Sequence, residues 1–160
     1  MKRLVSVGLL TVCVLGISAV RGTVAANRGP QSSRDLLPEG GVIIVSATEG
    51  YSWKVWPKGK IEFSYDSSHT WEQQKSGVAM DLLAGASPSG KVCWIVGKDG
   101  TVLLTTDKGK HWKQVASPTK EDLVGVYAQD AKRASVWTVS HKQSFETNDG
   151  GVTWATNSEK

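Results

Sequence analysis

Cysteine is scarce in this chain, and its scarcity excludes one class of small protein. The 160-residue sequence contains two cysteines, Cys13 and Cys93. Cys13 lies in an apolar N-terminal run that is set apart below, which leaves Cys93 as the single thiol of the folded part. A disulfide-stapled scaffold is therefore excluded. Because Cys93 lies in an apolar strand, we expect it to be a small buried hydrophobe.

The folded part also lacks an excess of charge of one sign. The formal net charge of +4 arises near the N-terminus, because from Leu36 onward the chain has fourteen lysines or arginines and fourteen aspartates or glutamates. Nucleic-acid binding depends on clustered cations that neutralise phosphates. We therefore predict no nucleic-acid partner.

Recognisable patterns of catalytic residues are missing as well. The sequence has no G-x-S-x-G, no glycine-rich phosphate loop and no Cys-x-x-Cys motif. His69, His111 and His141 show no spacing typical of metal ligands. We predict no catalytic residues, no cofactor and no metal site.

The N-terminal region differs from the rest of the chain. Met1-Lys2-Arg3 precedes an uncharged run from Leu4 to Val20 and then small residues at 24–26, which is typical of a secretory signal. The run is nearly long enough to span a bilayer, which takes roughly 17 to 25 residues. We predict that residues 1–26 are a signal peptide or an N-terminal membrane anchor, and that the protein is secreted or periplasmic. Residues 27–41, rich in Pro, Gly and Ser, are predicted to be a flexible linker.

An eight-residue pattern occurs three times in the remaining sequence. Its copies are Ser64–Trp71, Thr105–Trp112 and Thr147–Trp154, and their aspartates, spaced by 41 and 42 residues, are Asp66, Asp107 and Asp149. Such a period indicates a structural repeat. A second tryptophan column, spaced by 41 and 43 residues, consists of Trp53, Trp94 and Trp137.

Each repeat predicts a small sheet rather than a helix. Short apolar or alternating runs are separated by clusters of Gly, Pro, Ser and Asp, which is typical of all-β proteins. In the middle repeat four such runs are found, at Asp81–Ser87, Val92–Val96, Thr101–Thr105 and Trp112–Val115. We predict three four-stranded antiparallel β-propeller blades within residues 42–157, at about 42–74, 75–115 and 116–157.

Three blades do not close a ring, since propellers usually have roughly four to eight. We expect the unpaired blade at each end to expose an apolar face that invites association. The prediction is a partial propeller that is completed by self-association or docked onto a larger complex. A strained three-bladed monomer is the alternative.

The octapeptide, read as Ser/Thr-x-Asp-x-Gly-x-Thr-Trp, resembles the Asp-box of sialidases, sortilin-like receptors and photosystem II stability/assembly factors. Together with the run Cys93–Asp107, it makes the chain similar to the photosystem II stability/assembly factor-like domain. The resemblance implies a non-enzymatic propeller that escorts newly made membrane-protein subunits on the lumenal or periplasmic side. This chain has fewer repeats than the photosynthetic members and lacks their arginine-rich patch.

The repeated residues have an expected structural role. Each aspartate is predicted to accept hydrogen bonds within its own turn. The closing tryptophans, which we expect to cover the hairpin and pack on the adjoining blade, are Trp71, Trp112 and Trp154. The resemblance implies that these turns lie on the face away from the ligand.

That implication directs attention to the turns between second and third strands. A cation recurs there in every repeat, and the candidate binding residues are Lys58, Lys98, Asp99, His141 and Lys142. We predict a ring of positive charge that attracts an acidic peptide or an anionic surface. The alternative is that these lysines are merely solvated.

Sialidase activity is rejected because Arg133 is the single arginine within the repeats. One guanidinium cannot form the arginine cluster that holds the substrate carboxylate in that family, and lysine does not replace its planar fork. The predicted function is a non-enzymatic, extracytoplasmic binding or assembly protein that holds a protein partner, with membrane-protein complexes as the candidate class. The alternative is a cell-surface carbohydrate-binding module.

Overall fold

Three antiparallel β-sheets follow one another along the chain in the computed structural model, which describes residues 35–158. The strands of the first sheet are β1 Asp35–Leu36, β2 Val42–Val45, β3 Ser52–Val55, β4 Lys60–Ser64 and β5 Glu72–Lys75. Those of the second are β6 Leu82–Ser89, β7 Val92–Gly97, β8 Val102–Thr105 and β9 Lys113–Gln114. Those of the third are β10 Leu123–Ala128, β11 Ala134–Thr138, β12 Gln143–Thr147 and β13 Ala155–Ser158. Each strand pairs with its neighbours in sequence, as in propeller blades.

The predicted all-β architecture of three antiparallel blades is confirmed, with one addition. Strand β1 pairs with β2 beyond a tight turn in which the Leu37 amide donates to the Gly41 carbonyl at 2.8 Å. The predicted linker 27–41 therefore does not run unstructured up to the first blade, because its end is held by strand pairing. Residues 1–26, the predicted signal or anchor, lie outside the described part. Between residues 35 and 158, no helix is long and apolar enough to cross a membrane.

The innermost strands of successive blades lie beside one another. Strand β6 packs against both β2 and β10. Ser46 and Ser87 form a parallel bridge between the first two inner strands, and the Ser87 hydroxyl donates to the Ser46 hydroxyl at 3.0 Å. This arrangement places the three sheets side by side about a common inner edge.

The hydrophobic core lies between blades. The first interface buries an apolar face of blade 1 against blade 2, and it contains Trp53, Val55, Ile61, Phe63, Cys93, Ile95 and Leu103. The second buries the other face of blade 2 against blade 3, and it contains Trp94, Val96, Val102, Leu104, Val126, Ala134, Val136 and Phe145. The middle blade is thus apolar on both faces, which explains the continuous apolar runs of β7 and β8.

The tryptophans that close the octapeptides connect each blade to the preceding one. The Trp112 indole N–H donates to Gln74 Oε1 of blade 1 at 3.2 Å. Trp154 donates to the Ala116 carbonyl, beyond the last strand of blade 2, at 2.7 Å, and its ring meets Trp94 edge-on with centroids 6.4 Å apart. Trp71 has no preceding blade among the described residues. Its indole N–H donates instead to the Ser68 carbonyl of its own turn at 3.1 Å, and the Lys54 ammonium lies 3.9 Å from its ring centroid.

The predicted second tryptophan column holds for two blades and is wrong for the third. Trp53 and Trp94 are fully buried and pair across strands with Phe63 and Leu104. In blade 3 the equivalent register position is Ser135, which pairs with Glu146. Trp137 lies two residues further along β11 and packs over Gly125. A Cβ added at Gly125 would lie 2.0 Å from the Trp137 indole, so the ring fits because that position has no side chain.

The outward face of blade 1 combines polar and apolar side chains, because Ile43 and the 56% exposed Val45 pair with Lys54 and Ser52 and share their face. Strand register shows that Ser52, Lys54 and Glu62 occupy the positions that in blade 2 are Cys93, Ile95 and Leu103. Glu62 accepts from the Trp56 indole at 3.2 Å and pairs with Lys60 at 2.9 Å. These charged groups therefore lie on the face that a preceding blade would shield from water.

The outward face of blade 3 is also mixed, because Tyr127 and Trp137 lie on it beside serine and glutamate. Ser135, Ser144 and Glu146 occupy the positions that in blade 2 are Trp94, Val102 and Leu104. The described residues therefore show two covered interfaces and two end faces that combine polar and apolar side chains.

We predict that Trp154→Ala lowers the free energy of unfolding by about 2 kcal/mol or more, because it removes a packed ring and its hydrogen bond to the preceding blade. The matched control is Trp71→Ala. It deletes the same side chain where no blade precedes it, and we expect it to cost less than about half as much. Urea unfolding of both variants measures the difference. Equal losses would contradict the role assigned to the closing tryptophans.

Candidate binding surface

The three aspartate turns, which are the three octapeptides, use their carboxylates within themselves. Asp149 accepts from the hydroxyls of Thr147 and Thr153 at 2.8 and 2.6 Å, and from the amides of Val152 and Thr153 at 3.0 Å. Asp66 accepts an equivalent set from Ser64, His69 and Thr70. Asp107 accepts from the Thr105 hydroxyl, the His111 amide and the His111 ring.

These bonds favour the ionised form of each carboxyl group. The Thr153 hydroxyl and amide lower the pKa of Asp149 to about 2. Burial alone would raise the pKa of Asp107, but hydrogen bonds from His111 and Thr105 lower it to about 2. The Thr70 hydroxyl is the main cause of the lowered pKa of Asp66. Among residues 35–158 no group of three or more acidic, His or Cys side chains is arranged to hold a metal ion.

The candidate binding residues from the sequence lie in the turns between second and third strands of the blades. Lys58, Asp99 and His141 each have a positive φ, of 59°, 54° and 55°. Left-handed backbone is uncommon for residues other than glycine, so its recurrence shows that the three turns share one geometry. Lys98 and Lys142 are exposed beside them.

Sequence reasoning missed the side chains that hold two of these turns in place. Asp81 precedes the inner strand of blade 2 and accepts from the Lys58 amide at 3.0 Å, in the turn of blade 1. Asp122 precedes the inner strand of blade 3 and accepts from the Asp99 amide at 3.1 Å, in the turn of blade 2. The signal was present as a further Asp-Leu pair with a spacing of 41 residues. Each aspartate thus ties the turn of one blade to the next blade.

Asp81 also changes the charge of the surface. Its carboxylate pairs with the Lys98 ammonium at 2.9 Å, and this contact, together with the Lys58 amide, lowers the pKa of Asp81. The same contact raises the pKa of Lys98. The charge of Lys98 is therefore largely neutralised, while Lys58 and Lys142 form no ion pair within residues 35–158. We call Lys58, Lys98, Asp99, His141 and Lys142 the turn surface.

Four-stranded blades packed about a common inner edge define this chain as a β-propeller protein. Within that class it is similar to the photosystem II assembly lipoprotein Ycf48 of Synechococcus sp. (strain CC9902), with 27% identity over 172 aligned positions. The alignment includes 96% of this chain and 50% of the relative, so the chain spans about half the length of that protein. This relationship confirms the resemblance that the repeats indicated.

Solved structures show the same fold. YCF48 from Cyanidioschyzon merolae matches with a TM-score of 0.63 and 23% identity, covering 79% of this chain and 42% of that one. YCF48 bound to D1 peptide matches with a TM-score of 0.59 and 20% identity, covering 79% of this chain and 45% of that one. The GH74 xyloglucanase from Xanthomonas campestris matches with a TM-score of 0.54 and 14% identity, over 71% and 22% of the two chains. No protein-family model matches the chain.

The pKa values of the aspartate turns predict acid sensitivity. In the unfolded chain aspartate titrates near about 3.9, whereas the folded pKa of Asp107 and of Asp149 is about 2. The unfolded state therefore binds protons first as the pH falls, so stability is lost progressively between about pH 4 and about pH 2. Thermal unfolding followed over this range measures the loss.

The control for this prediction separates the turn carboxylate from an ordinary one. Asp149→Asn is expected to lower stability at neutral pH and to flatten its pH dependence. Glu146→Gln, at an exposed position of the same blade, removes one negative charge and is expected to leave the dependence unchanged. A wild-type slope retained in Asp149→Asn would contradict the assignment.

Proposed function

We propose that this protein is a non-enzymatic, extracytoplasmic assembly factor that holds a segment of a membrane-protein subunit on the turn surface. The observation that carries the proposal is the pinning of turns from neighbouring blades by Asp81 and Asp122, at 3.0 and 3.1 Å. These bonds join separate blades into one preorganised surface, which lowers the ordering cost of binding.

The charge of the turn surface suits an acidic or polar segment. Lys58 and Lys142 supply exposed ammonium groups, while Lys98 and Asp81 neutralise one another. Exposed charges of this kind increase association rate and specificity more than they increase affinity. A partner would therefore also contact the exposed backbone of these turns and of the segments that lead from one blade to the next.

The similarity to Ycf48 supports the class of partner. That relative is named as an assembly lipoprotein of photosystem II, and one solved YCF48 is bound to D1 peptide. We extend to this chain the general role of capturing a peptide of a membrane-protein subunit, with a location at the outer side of the membrane. The fold is shared with GH74 enzymes, but our assignment of no enzymatic activity follows the assembly factors, because this chain matches one of them over nearly its whole length.

Docking onto a larger complex fits the end faces better than a ring of two chains. A head-to-tail ring would bury Val45 of one copy and Trp137 of the other, but it would also bury the charged groups of Lys54, Lys60, Glu62 and Glu146. Removing such charges from water is costly unless each is paired with good geometry. We therefore propose that the blades of this chain are docked onto a partner complex rather than onto a second copy.

The test is capture of a membrane protein. The purified chain, cross-linked to detergent-solubilised membranes and analysed by mass spectrometry, is expected to recover a membrane-protein subunit. In Lys58→Glu/Lys142→Glu this recovery is expected to be lost, because the two lysines of the turn surface that form no ion pair within residues 35–158 are reversed in charge. The matched control, Lys113→Glu/Lys132→Glu, changes the charge equally on other parts of the molecule and should retain capture.

Two results would overturn the proposal. One is equal capture by both double variants, which would show that the turn surface is not the binding surface. The other is a glycan array on which the wild-type protein binds a defined sugar while no membrane protein is recovered. That second outcome would favour the carbohydrate-binding alternative.

A further inference from the structure

We propose a second binding site, on the face of the aspartate turns, that takes an acidic peptide segment of a partner protein. It consists of three lysines of blade 2, namely Lys91, Lys108 and Lys110, together with Tyr51 of blade 1. We call it the lysine cleft. It lies at the opposite ends of the strands from the turn surface and does not depend on the function proposed above.

Two cavities that share residues form the lysine cleft. One has a volume of about 370 Å³ and is lined by Lys91, Thr106, Asp107, Lys108 and Lys110. The other has a volume of about 260 Å³ and is lined by Thr48, Tyr51, Ser89, Gly90, Lys91 and Lys108. Lys91 and Lys108 line both cavities. The cavity that contains the three lysines is therefore continuous with the cavity that Tyr51 lines.

The backbone beneath the lysines is held firmly. The Lys108 amide donates to the Lys91 carbonyl at 3.0 Å, and the Lys108 carbonyl accepts from the Gln74 side chain of blade 1 at 2.6 Å. The Lys108 ammonium lies 3.3 Å from the Tyr51 hydroxyl. Tyr51 in turn packs on Gly90, where an added Cβ would lie 2.8 Å from its ring. The cleft is therefore formed before any ligand arrives.

Comparison with the sister blades shows that the fold does not require these lysines. The backbone bond between Lys108 and Lys91 recurs as Ser67 to Gly50 in blade 1 and as Gly150 to Lys132 in blade 3, at 3.0 and 2.9 Å. The position of Lys110, three residues after the turn aspartate, is His69 in blade 1 and Val152 in blade 3. Glycine, serine, histidine and valine therefore meet the structural need at the same places, and only the position of Lys91 is again a lysine in one sister blade, Lys132.

The charge of the cleft is not balanced locally. Asp107 is the single acidic residue that lines it, and its oxygens already accept bonds from Thr105 and His111. Three ammonium groups that line one depression repel one another, and like charges in proximity are destabilising. Lys108 contacts Tyr51, whereas no ion pair within residues 35–158 neutralises any of the three lysines, and a bound anion would relieve their repulsion.

The shape and surroundings favour a peptide over a membrane surface. Lysine ammonium groups are compact point charges that accept carboxylates in many orientations, and the Tyr51 cavity offers room for an apolar side chain beside them. Elsewhere this face carries Glu49 and Asp66 in blade 1, and the Arg133 guanidinium is paired with Asp130 at 2.6 Å in blade 3. A lipid surface would meet these acidic groups as well, whereas a short segment meets the lysines alone.

The test uses a short fluorescein-labelled peptide in which leucine precedes a run of glutamates, and a second peptide with glutamines in their place. Fluorescence anisotropy with the full-length protein is expected to show binding of the glutamate peptide only. In Lys91→Gln/Lys108→Gln/Lys110→Gln the dissociation constant is expected to rise about tenfold or more, since each exposed contact contributes up to about 1 kcal/mol. Raising the salt concentration should weaken wild-type binding.

The matched control is Lys75→Gln/Lys113→Gln/Lys120→Gln, which removes the same charge from exposed positions outside the cleft. It should bind the glutamate peptide like the wild type. Equal weakening in both triple variants would overturn the proposal, because net charge alone would then explain binding. Lysine-dependent binding to phosphatidylglycerol vesicles without binding to the peptide would also overturn it, in favour of a membrane surface. Absence of binding to either probe would leave no function for the cleft as proposed.

Discussion

The contact on which the structure depends is the packing of a tryptophan from one blade onto the blade before it. A single four-stranded sheet of this size cannot bury its apolar faces by itself, so its stability comes from its neighbours. Trp112 and Trp154 cross the two interfaces and end in hydrogen bonds to Gln74 and to the Ala116 carbonyl. The aspartate turns set the position of these rings, because each carboxylate fixes the turn from which the indole projects.

The same logic explains the two ends of the described chain. The strands that face another blade carry cysteine, isoleucine, leucine and valine, whereas the two outward faces carry lysine, glutamate and serine beside apolar residues such as Val45 and Trp137. Lys54 is the clearest example, because its ammonium lies over the ring of Trp71. The equivalent tryptophans of the other two blades, Trp112 and Trp154, contact the preceding blade instead. The turns form two further surfaces available to partners, and the turn surface and the lysine cleft lie on these opposite edges of the blades.

Periodicity in the sequence was sufficient to predict the blades but not every contact between them. The spacing of Asp66, Asp107 and Asp149 located the turns, since each residue of the octapeptide contributes to one local network. Trp137 was misassigned because its spacing of 43 residues concealed a shift of two positions in strand register.

The binding surface was the least predictable part. The repeated Asp-Leu pair marked Asp81 and Asp122 as equivalent positions, but their partners are backbone amides of another blade, and the sequence does not name those partners. The expectation that the end faces invite association stays a prediction. Lys54 and Glu62 were visible in the sequence, but only the strand register shows that they share the outward face of blade 1 with Ile43 and Val45.

Amide hydrogen exchange on the full-length protein tests most directly whether stacking between blades provides the stability. The middle blade is covered on both faces, so β7 and β8 are expected to have the highest free energies of opening, close to that of global unfolding. Strands β3 and β4, and β11 and β12, each have one face on solvent and are expected to exchange at lower free energies. Uniform protection across all three blades, or highest protection in an end blade, would contradict this account.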